Sequence, residues 1–237
     1  MVFFMTESWQ KYLAELIGTF TLVFVGTLSV TIYSVVLQIP QPYYFGPGIF
    51  AIGITFGAVI MAMVYIFGHI SGTHINPAIT LSLAAIRKIS LKDAILYVIS
   101  QLIGASIASG LHAVILPQGS VIYFGLNLPG EAIGRSETTA LLVEMILTFF
   151  LVMAVMGTVI DKRAPPGFAG IAIGLVIAMN HWIGIPLTGA SMNPARTFGP
   201  ALVSGNWTAH WVYWLGPIIG GIIAAVMYYC LFLAKEK

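Results

Sequence analysis

Two short stretches of this chain share one pattern: Gly72-Thr73-His74-Ile75-Asn76-Pro77-Ala78 and Gly189-Ala190-Ser191-Met192-Asn193-Pro194-Ala195. Asparagine is a strong helix N-cap and proline is favoured at the first helical position, so each stretch predicts an extended arm that turns into a helix. The surrounding segments, 69–86 and 186–204, are too apolar for solvated loops and too broken by Gly and Pro to span a membrane. We therefore expect two re-entrant segments, which lie at membrane depth only when protein or an aqueous cavity covers them.

The composition of the rest of the chain is that of an integral membrane protein. Of its 237 residues, 59% are hydrophobic and 8% charged, and the mean hydropathy is +0.96. A spanning helix needs roughly 20 apolar residues. We therefore predict an all-α membrane protein with one polytopic domain, residues 1–237, and six transmembrane helices near 12–37, 50–68, 93–116, 138–160, 167–185 and 209–232.

The charges exclude several classes of function. The formal net charge is +2 and the basic residues form no patch, so nucleic acid is excluded as a main partner. Cys230 is the single cysteine, and no Cys/His cluster has metal-ligand spacing, so we expect no internal disulfide, no metal and no cofactor.

The basic residues also predict the topology, because cytoplasmic flanks are rich in Lys and Arg. With six spans and both termini in the cytoplasm, Arg135 alone falls outside and Arg196 lies in a re-entrant segment. The residues then placed in the cytoplasm are Lys11, Arg87, Lys88, Lys92, Lys162, Arg163, Lys235 and Lys237.

The two halves of the chain resemble each other, over residues of approximately 8–116 and 138–232. Ala14-Glu15-Leu16-Ile17-Gly18-Thr19-Phe20 corresponds to Val143-Glu144-Met145-Ile146-Leu147-Thr148-Phe149. Because each half has an odd number of spans, the copies must be oppositely oriented, as in the inverted repeats of many transporters. The two half-helices would then meet near the midplane with their positive dipole ends, an arrangement that repels cations.

These motifs resemble those of the aquaporins, within the major intrinsic protein family, over essentially the whole chain. The quoted strings that carry the resemblance are His69 to Ala78 and Met192 to Ala201. It implies six tilted helices and two half-helices, a homotetramer in the cell membrane with one pore in each subunit, and passage of water in single file. It further implies a ladder of pore-facing carbonyls from Gly72, Thr73, His74, Ile75, Gly189, Ala190, Ser191 and Met192, with Asn76 and Asn193 donating to the central water.

The resemblance also implies an outward-facing constriction formed by Phe56, His181, Ala190 and Arg196. Arg196 is a basic residue placed deep in the membrane, where such side chains are costly unless they are paired or line an aqueous path. A salt bridge between helices is the alternative for Arg196. Taken alone, Phe56 is better explained by core packing and His181 by a histidine at a helix end, whereas the register of the family motifs favours the constriction for both.

Glu15 and Glu144 are acids within predicted spans, and an enzyme could use such a pair as general acid and base. The family resemblance implies instead that they support the backbone of the re-entrant segments. His69 and His74 could indicate a metal site or a pH sensor, although packing or hydrogen bonding is the simpler interpretation of both.

The same resemblance predicts water rather than glycerol as the permeant. Glycerol facilitators usually carry Asp after the second Asn-Pro-Ala-Arg and a small residue at the constriction histidine, whereas this chain has Thr197 and His181. A glycerol or mixed-solute facilitator is the alternative, because Ala190 leaves room at one corner. An enzyme would need a nucleophile near a base, and none is apparent. The short tails predict a prokaryotic source.

Overall fold

The computed structural model describes residues 8–37 and 47–233, which form helices and the connections between them. Within these ranges there are eight α-helices and no β-strand. A π-helical segment, Ile32–Val36, extends the first α-helix, and Met156–Ile160 extends the fifth. The α-helices are α1 (Ser8–Thr31), α2 (Pro47–Ser71), α3 (Pro77–Ala85), α4 (Leu91–Ile115), α5 (Glu137–Val155), α6 (Ala169–Thr188), α7 (Pro194–Ser204) and α8 (Val212–Leu231).

Six of these helices are long and apolar enough to cross a membrane: α1, α2, α4, α5, α6 and α8, with the π-segments included in α1 and α5. Their bounds differ from the predicted ones by only a few residues at either end. The largest difference, four residues, is at the start of α1, where the polar and aromatic residues Ser8, Trp9, Gln10 and Lys11 precede the apolar stretch. The predicted six-span fold class is confirmed.

The two short helices, α3 and α7, begin at the Asn-Pro-Ala motifs. The side chain of Asn76 accepts a hydrogen bond from the backbone N–H of Ala78 at 2.8 Å, and Pro77 occupies the first turn. Asn193 caps α7 in the same way, accepting from Ala195 N–H at 3.0 Å. With 9 and 11 residues, both helices are too short to span a membrane, which takes roughly 20 residues.

The arms that precede the half-helices have an unusual backbone. Gly72 and Gly189, at the end of α2 and α6, have φ of 82° and 79°, in the region that glycine adopts without a Cβ penalty. Further left-handed residues follow in each arm at Thr73, Ile75, Ala190 and Met192. Such backbone persists only where the surrounding structure holds it, so the arms must be fixed by contacts.

Helix packing repeats between the halves. Helix α1 packs on α4 as α5 packs on α8, while α7 lies against α4 and α3 against α8. Matching glycines allow this close approach, because a Cβ at Gly104 would collide with the backbone of Leu16, and one at Gly220 with that of Met145. Between the halves, α2 packs on α6, where Gly57 and Gly174 face each other's carbonyls.

Contacts bring three of the predicted cytoplasmic residues, Lys11, Lys88 and Arg163, to one end of the bundle, where Lys88 of the α3–α4 connection lies 5.9 Å from the Tyr229 ring near the end of α8. Lys11 at the start of α1 pairs with Asp93 at the start of α4, with Nζ and Oδ1 2.9 Å apart. Arg163, after α5, donates to the Phe232 carbonyl at the end of α8. Arg135 instead pairs with Glu131 in the connection before α5. Lys235 and Lys237 lie outside the described residues.

Candidate permeation pathway

A cavity of about 250 Å³ runs between the two halves of the molecule. One wall is apolar and comes from α2, α5 and α6, with Ile60, Leu151 and Ile177 among its residues. The other wall is formed by the two arms and the asparagines that follow them, residues 72–76 and 191–193. The lining of the cavity therefore combines the arms and their asparagines with hydrocarbon side chains.

The two motif asparagines are bonded across the centre of the molecule. Asn76 Nδ2 donates to the carbonyl of Met192 at 2.8 Å, and Asn193 Nδ2 donates to the carbonyl of Ile75 at 2.9 Å. Each amide oxygen meanwhile caps its own half-helix. An amide NH₂ carries two hydrogens, so each asparagine keeps one N–H beyond this reciprocal pair. The other motif residues, Pro77, Ala78, Pro194 and Ala195, are buried and do not line the cavity.

The predicted carbonyl ladder divides into two groups. The carbonyls of Ile75 and Met192 accept from the asparagines, and that of Gly189 accepts from Asn127 Nδ2 at 2.9 Å. Within the described residues, no protein donor bonds the remaining carbonyls of the ladder, those of Gly72, Thr73, His74, Ala190 and Ser191. Four of them, the carbonyls of Gly72, Thr73, His74 and Ser191, belong to residues that line the cavity and so remain available to a molecule within it.

Glu15 is fully buried and bonds the first arm. Its carboxylate accepts from the backbone N–H groups of His74 and Ile75, at 2.9 and 2.6 Å. The Ser71 hydroxyl and the Gln101 amide also donate to it, at 2.7 and 2.8 Å. Both carboxylate oxygens are therefore occupied by donors of the protein.

Glu144 occupies the matching place behind the second arm. It accepts from the N–H groups of Ser191 and Met192, at 2.9 and 2.7 Å, and from the Thr188 hydroxyl at 2.7 Å. The position that corresponds to Gln101 is Pro217, which has no donor, so Glu144 has one hydrogen bond fewer than Glu15.

Phe56, His181 and Arg196 come together at one end of the cavity, and all three line it. The rings of Phe56 and His181 stack with centroids 4.3 Å apart, and the Arg196 guanidinium carbon lies 5.3 Å from the Phe56 centroid. His181 Nδ1 lies 2.8 Å from the Ile177 carbonyl. A carbonyl only accepts, so Nδ1 carries the hydrogen and Nε2 remains free to accept within the described part of the chain.

Arg196 is held by a backbone carbonyl. Its Nη1 donates to the carbonyl of Gly125, at 2.5 Å, and its Nε has no partner among the described residues. No ion pair to Arg196 occurs within those residues, which leaves the salt-bridge alternative without support. Phe56 lines the cavity and also packs against Gly26 of α1.

Ala190, the fourth residue of the predicted constriction, does not line the cavity. It is fully buried, with its side chain facing Gly184 of α6. Ser191 and Met192 line the cavity in its place. His74 also lines it, and bonds Thr80 through Nδ1 at 3.1 Å. No group of His, Cys, Asp and Glu able to hold a metal occurs in the described ranges.

Sequence reasoning missed three buried polar residues, Asn127, Asn180 and His112. Asn127, in the connection between α4 and α5, bonds both Gly189 and Thr197. Asn180 donates to the Met192 sulfur at 3.0 Å, and His112 is buried near the end of α4. A polar residue inside an apolar span is itself a signal of function, which would have identified Asn180 and His112 but not Asn127.

Comparisons with known proteins show which family the chain resembles. A family model described as Major intrinsic protein matches residues 3–228. Aquaporin-4 of Mus musculus is 40% identical over 225 residues, covering 94% of this chain and 68% of that protein. Aquaporin NIP1-1 of Zea mays is 41% identical over 223 residues, covering 92% of this chain and 73% of that protein.

A solved structure shares the fold. The X-ray structure of the aquaglyceroporin from Plasmodium falciparum matches with a TM-score of 0.82 at 21% identity, over 95% of this chain and 97% of that one. The sequence relatives named above come from an animal and a plant, so the prokaryotic source expected from the short tails is not borne out.

Proposed function

Because the chain belongs to the major intrinsic protein family, and is accordingly a membrane channel and not an enzyme, we propose that it is a passive, water-selective channel. The observation that carries this proposal is the packing of Phe56, His181 and Arg196 at one end of the cavity. Two stacked rings and a guanidinium leave a narrow polar opening, which suits a molecule the size of water better than a three-carbon polyol.

The cavity supplies hydrogen bonds to replace those that water gives up on entry. Arg196 and the motif asparagines would donate, while His181 Nε2 and the four unbonded carbonyls of Gly72, Thr73, His74 and Ser191 would accept. The opposite wall is apolar and holds no water in place. A pore with donors and acceptors along one side and hydrocarbon along the other supports single-file passage with weak binding at each step.

Exclusion of ions and protons would rest on two sources of positive potential. The N-terminal ends of α3 and α7 meet through Asn76 and Asn193, so both helix dipoles present their positive ends to the centre. Arg196 adds a full charge at the opening, where repulsion of a cation is stronger than in bulk water. Glu15 and Glu144 would hold the arms in the geometry that both effects require.

The position of Ala190 favours a second candidate, a channel for glycerol or mixed small neutral solutes. Its methyl group faces Gly184 and adds no bulk to the opening. Under this alternative the stacked rings of Phe56 and His181 would still limit the size of the permeant.

Assembly and orientation complete the proposal. We propose a homotetramer in the cell membrane with both termini in the cytoplasm. The outward faces of the helices carry exposed Ile, Leu and Val residues that lipid or neighbouring subunits would cover. The basic residues gathered at one end of the bundle favour the cytoplasm for that end.

Stopped-flow light scattering on proteoliposomes tests the function. Vesicles are mixed first with an impermeant osmolyte and then, separately, with glycerol. Fast shrinkage in the first case without fast re-swelling in the second is the expected result. Shrinkage no faster than that of empty vesicles would refute the proposal, and fast re-swelling in glycerol would favour the second candidate.

A further inference from the structure

The connection between α4 and α5 reaches the proposed constriction through a strained turn. Gly125, whose carbonyl accepts from Arg196, follows Tyr123 and Phe124 in the chain. All three residues have left-handed backbone, with φ of 51°, 55° and 75°. Tyr123 and Phe124 are side-chain-bearing residues that rarely adopt this conformation, so the turn depends on contacts that hold it.

The ring of Phe124 provides such a contact. It is 8% exposed and packs edge-on against the ring of His112, with centroids 5.5 Å apart and planes at 78°. Gly119 allows this close packing, because a Cβ there would lie 2.9 Å from Phe124 Cδ1 and 3.1 Å from His112 Nε2. The Phe124 N–H donates to the Gly119 carbonyl at 2.8 Å, which fixes the ring above the histidine.

His112 is itself fixed at both ring nitrogens. Nδ1 lies 2.9 Å from the Thr27 hydroxyl and Nε2 lies 3.0 Å from the Thr31 hydroxyl, both on α1. All three residues are fully buried. A hydroxyl can donate or accept, so either neutral tautomer of the ring satisfies both bonds. His112 thus joins α1, α4 and the turn, and it does not line the cavity.

We propose that His112 is a positioning residue for permeation, which fixes the Arg196 guanidinium through Phe124 and the Gly125 carbonyl. This inference rests on the proposed function. Without the histidine the left-handed turn relaxes, the Gly125 carbonyl shifts and the guanidinium gains freedom, so the opening becomes less selective. Asn127 keeps the connection attached to Gly189 and Thr197, which confines the effect to the opening.

Three variants separate positioning from general stability. His112→Leu is apolar and of similar size, and leaves both threonines without their partner, whereas His112→Gln keeps one donor and one acceptor. Ser109→Ala is the matched control, because Ser109 is a fully buried polar residue of α4 without a side-chain partner among the described residues. Each protein is reconstituted and its ratio of glycerol to water permeability is measured. We expect a several-fold rise for His112→Leu, a smaller rise for His112→Gln and the parent's ratio for Ser109→Ala.

A double-mutant cycle tests the route through Arg196. In an Arg196→Val background, His112→Leu should leave the permeability ratio unchanged, because the group it positions is gone. The same several-fold rise in that background, or the parent's ratio in the single variant, would overturn the proposal. If His112→Leu does not assemble, Phe124→Leu replaces it, with the same outcomes. If the parent protein conducts no water, the proposed function is overturned instead. If the parent conducts water but its ratio of glycerol to water permeability is the same in the His112 variants, only the positioning role is overturned.

Discussion

Replacing Glu144 by leucine should remove the acceptor of three buried donors at once. The donors are the N–H groups of Ser191 and Met192 and the hydroxyl of Thr188. Each buried donor left unpaired costs about 1–3 kcal/mol. The sum, about 3–9 kcal/mol, is comparable with the whole free energy of unfolding of a typical protein, about 5–15 kcal/mol. We therefore expect Glu144→Leu to yield little assembled protein.

Glu144→Gln should be milder, and the difference between the two variants identifies the cause. The amide oxygen can still accept from Thr188 and Ser191, while the NH₂ group then faces the Met192 N–H, donor against donor. One lost bond costs about 1–3 kcal/mol. Glu131→Gln is the control, because that carboxylate is 84% exposed and its pair with Arg135 is a surface ion pair of little energetic value.

The assay combines assembly with transport. Each variant is heated in detergent and the fraction surviving as a monodisperse particle is measured, and survivors are reconstituted for water permeability. The expected order of thermal stability is parent and Glu131→Gln, then Glu144→Gln, then Glu144→Leu. A Glu144→Leu protein as stable and as permeable as the parent would refute the view that this carboxylate holds the second arm.

Three further predictions concern the opening, the cysteine and the cytoplasmic end. Combining Phe56→Ala with His181→Gly removes the stacked rings, so glycerol flux into vesicles should rise by about tenfold while water flux persists. A tenfold rise corresponds to a barrier lowered by about 1.4 kcal/mol. Unchanged glycerol exclusion would contradict the assignment of these two residues to the constriction. Cys230 is exposed and does not line the cavity, so mercury reagents should leave water permeability unchanged. Inhibition of the parent by mercury that Cys230→Ser abolishes would contradict this placement of the cysteine. The Arg163 guanidinium holds the pKa of Asp161 below its ordinary range, so the carboxylate stabilises the fold above about pH 4. The melting temperature of the parent should therefore exceed that of Asp161→Asn by a constant amount near neutral pH, and this difference should shrink as the pH falls below about 4. A difference that stays constant down to pH 2 would exclude this linkage.

The features that could be predicted from the sequence depend on neighbouring residues or on composition. Asn76 and Asn193 cap helices through bonds to residues two positions away, and the six spans follow from apolar length alone. Glu15 and Glu144 were identified because they are acids within apolar stretches. These are short-range or compositional properties, which need no knowledge of the distant chain.

The features that the sequence could not predict depend on long-range contacts. The Gly125 carbonyl meets Arg196 across 71 positions of the chain, and Asn127 meets Gly189 across 62. A backbone carbonyl has no side-chain signature, so nothing in the sequence marks Gly125 as the partner of Arg196. The burial of Ala190 was likewise unpredictable, because it depends on the exact direction of a left-handed arm.

The reciprocal bonds of Asn76 and Asn193 impose an order on biogenesis. The acceptor of the Asn76 amide is the carbonyl of Met192, 116 positions further along the chain. At a synthesis rate of about 5–20 residues per second, the first half waits roughly 6–23 seconds for that partner. During this interval water, lipid headgroups or the insertion machinery must accept the hydrogen bond of the Asn76 amide, because the Met192 carbonyl has not yet been synthesised. Closure of the channel centre is therefore a late event in synthesis, and an N-terminal half expressed alone would stop before it.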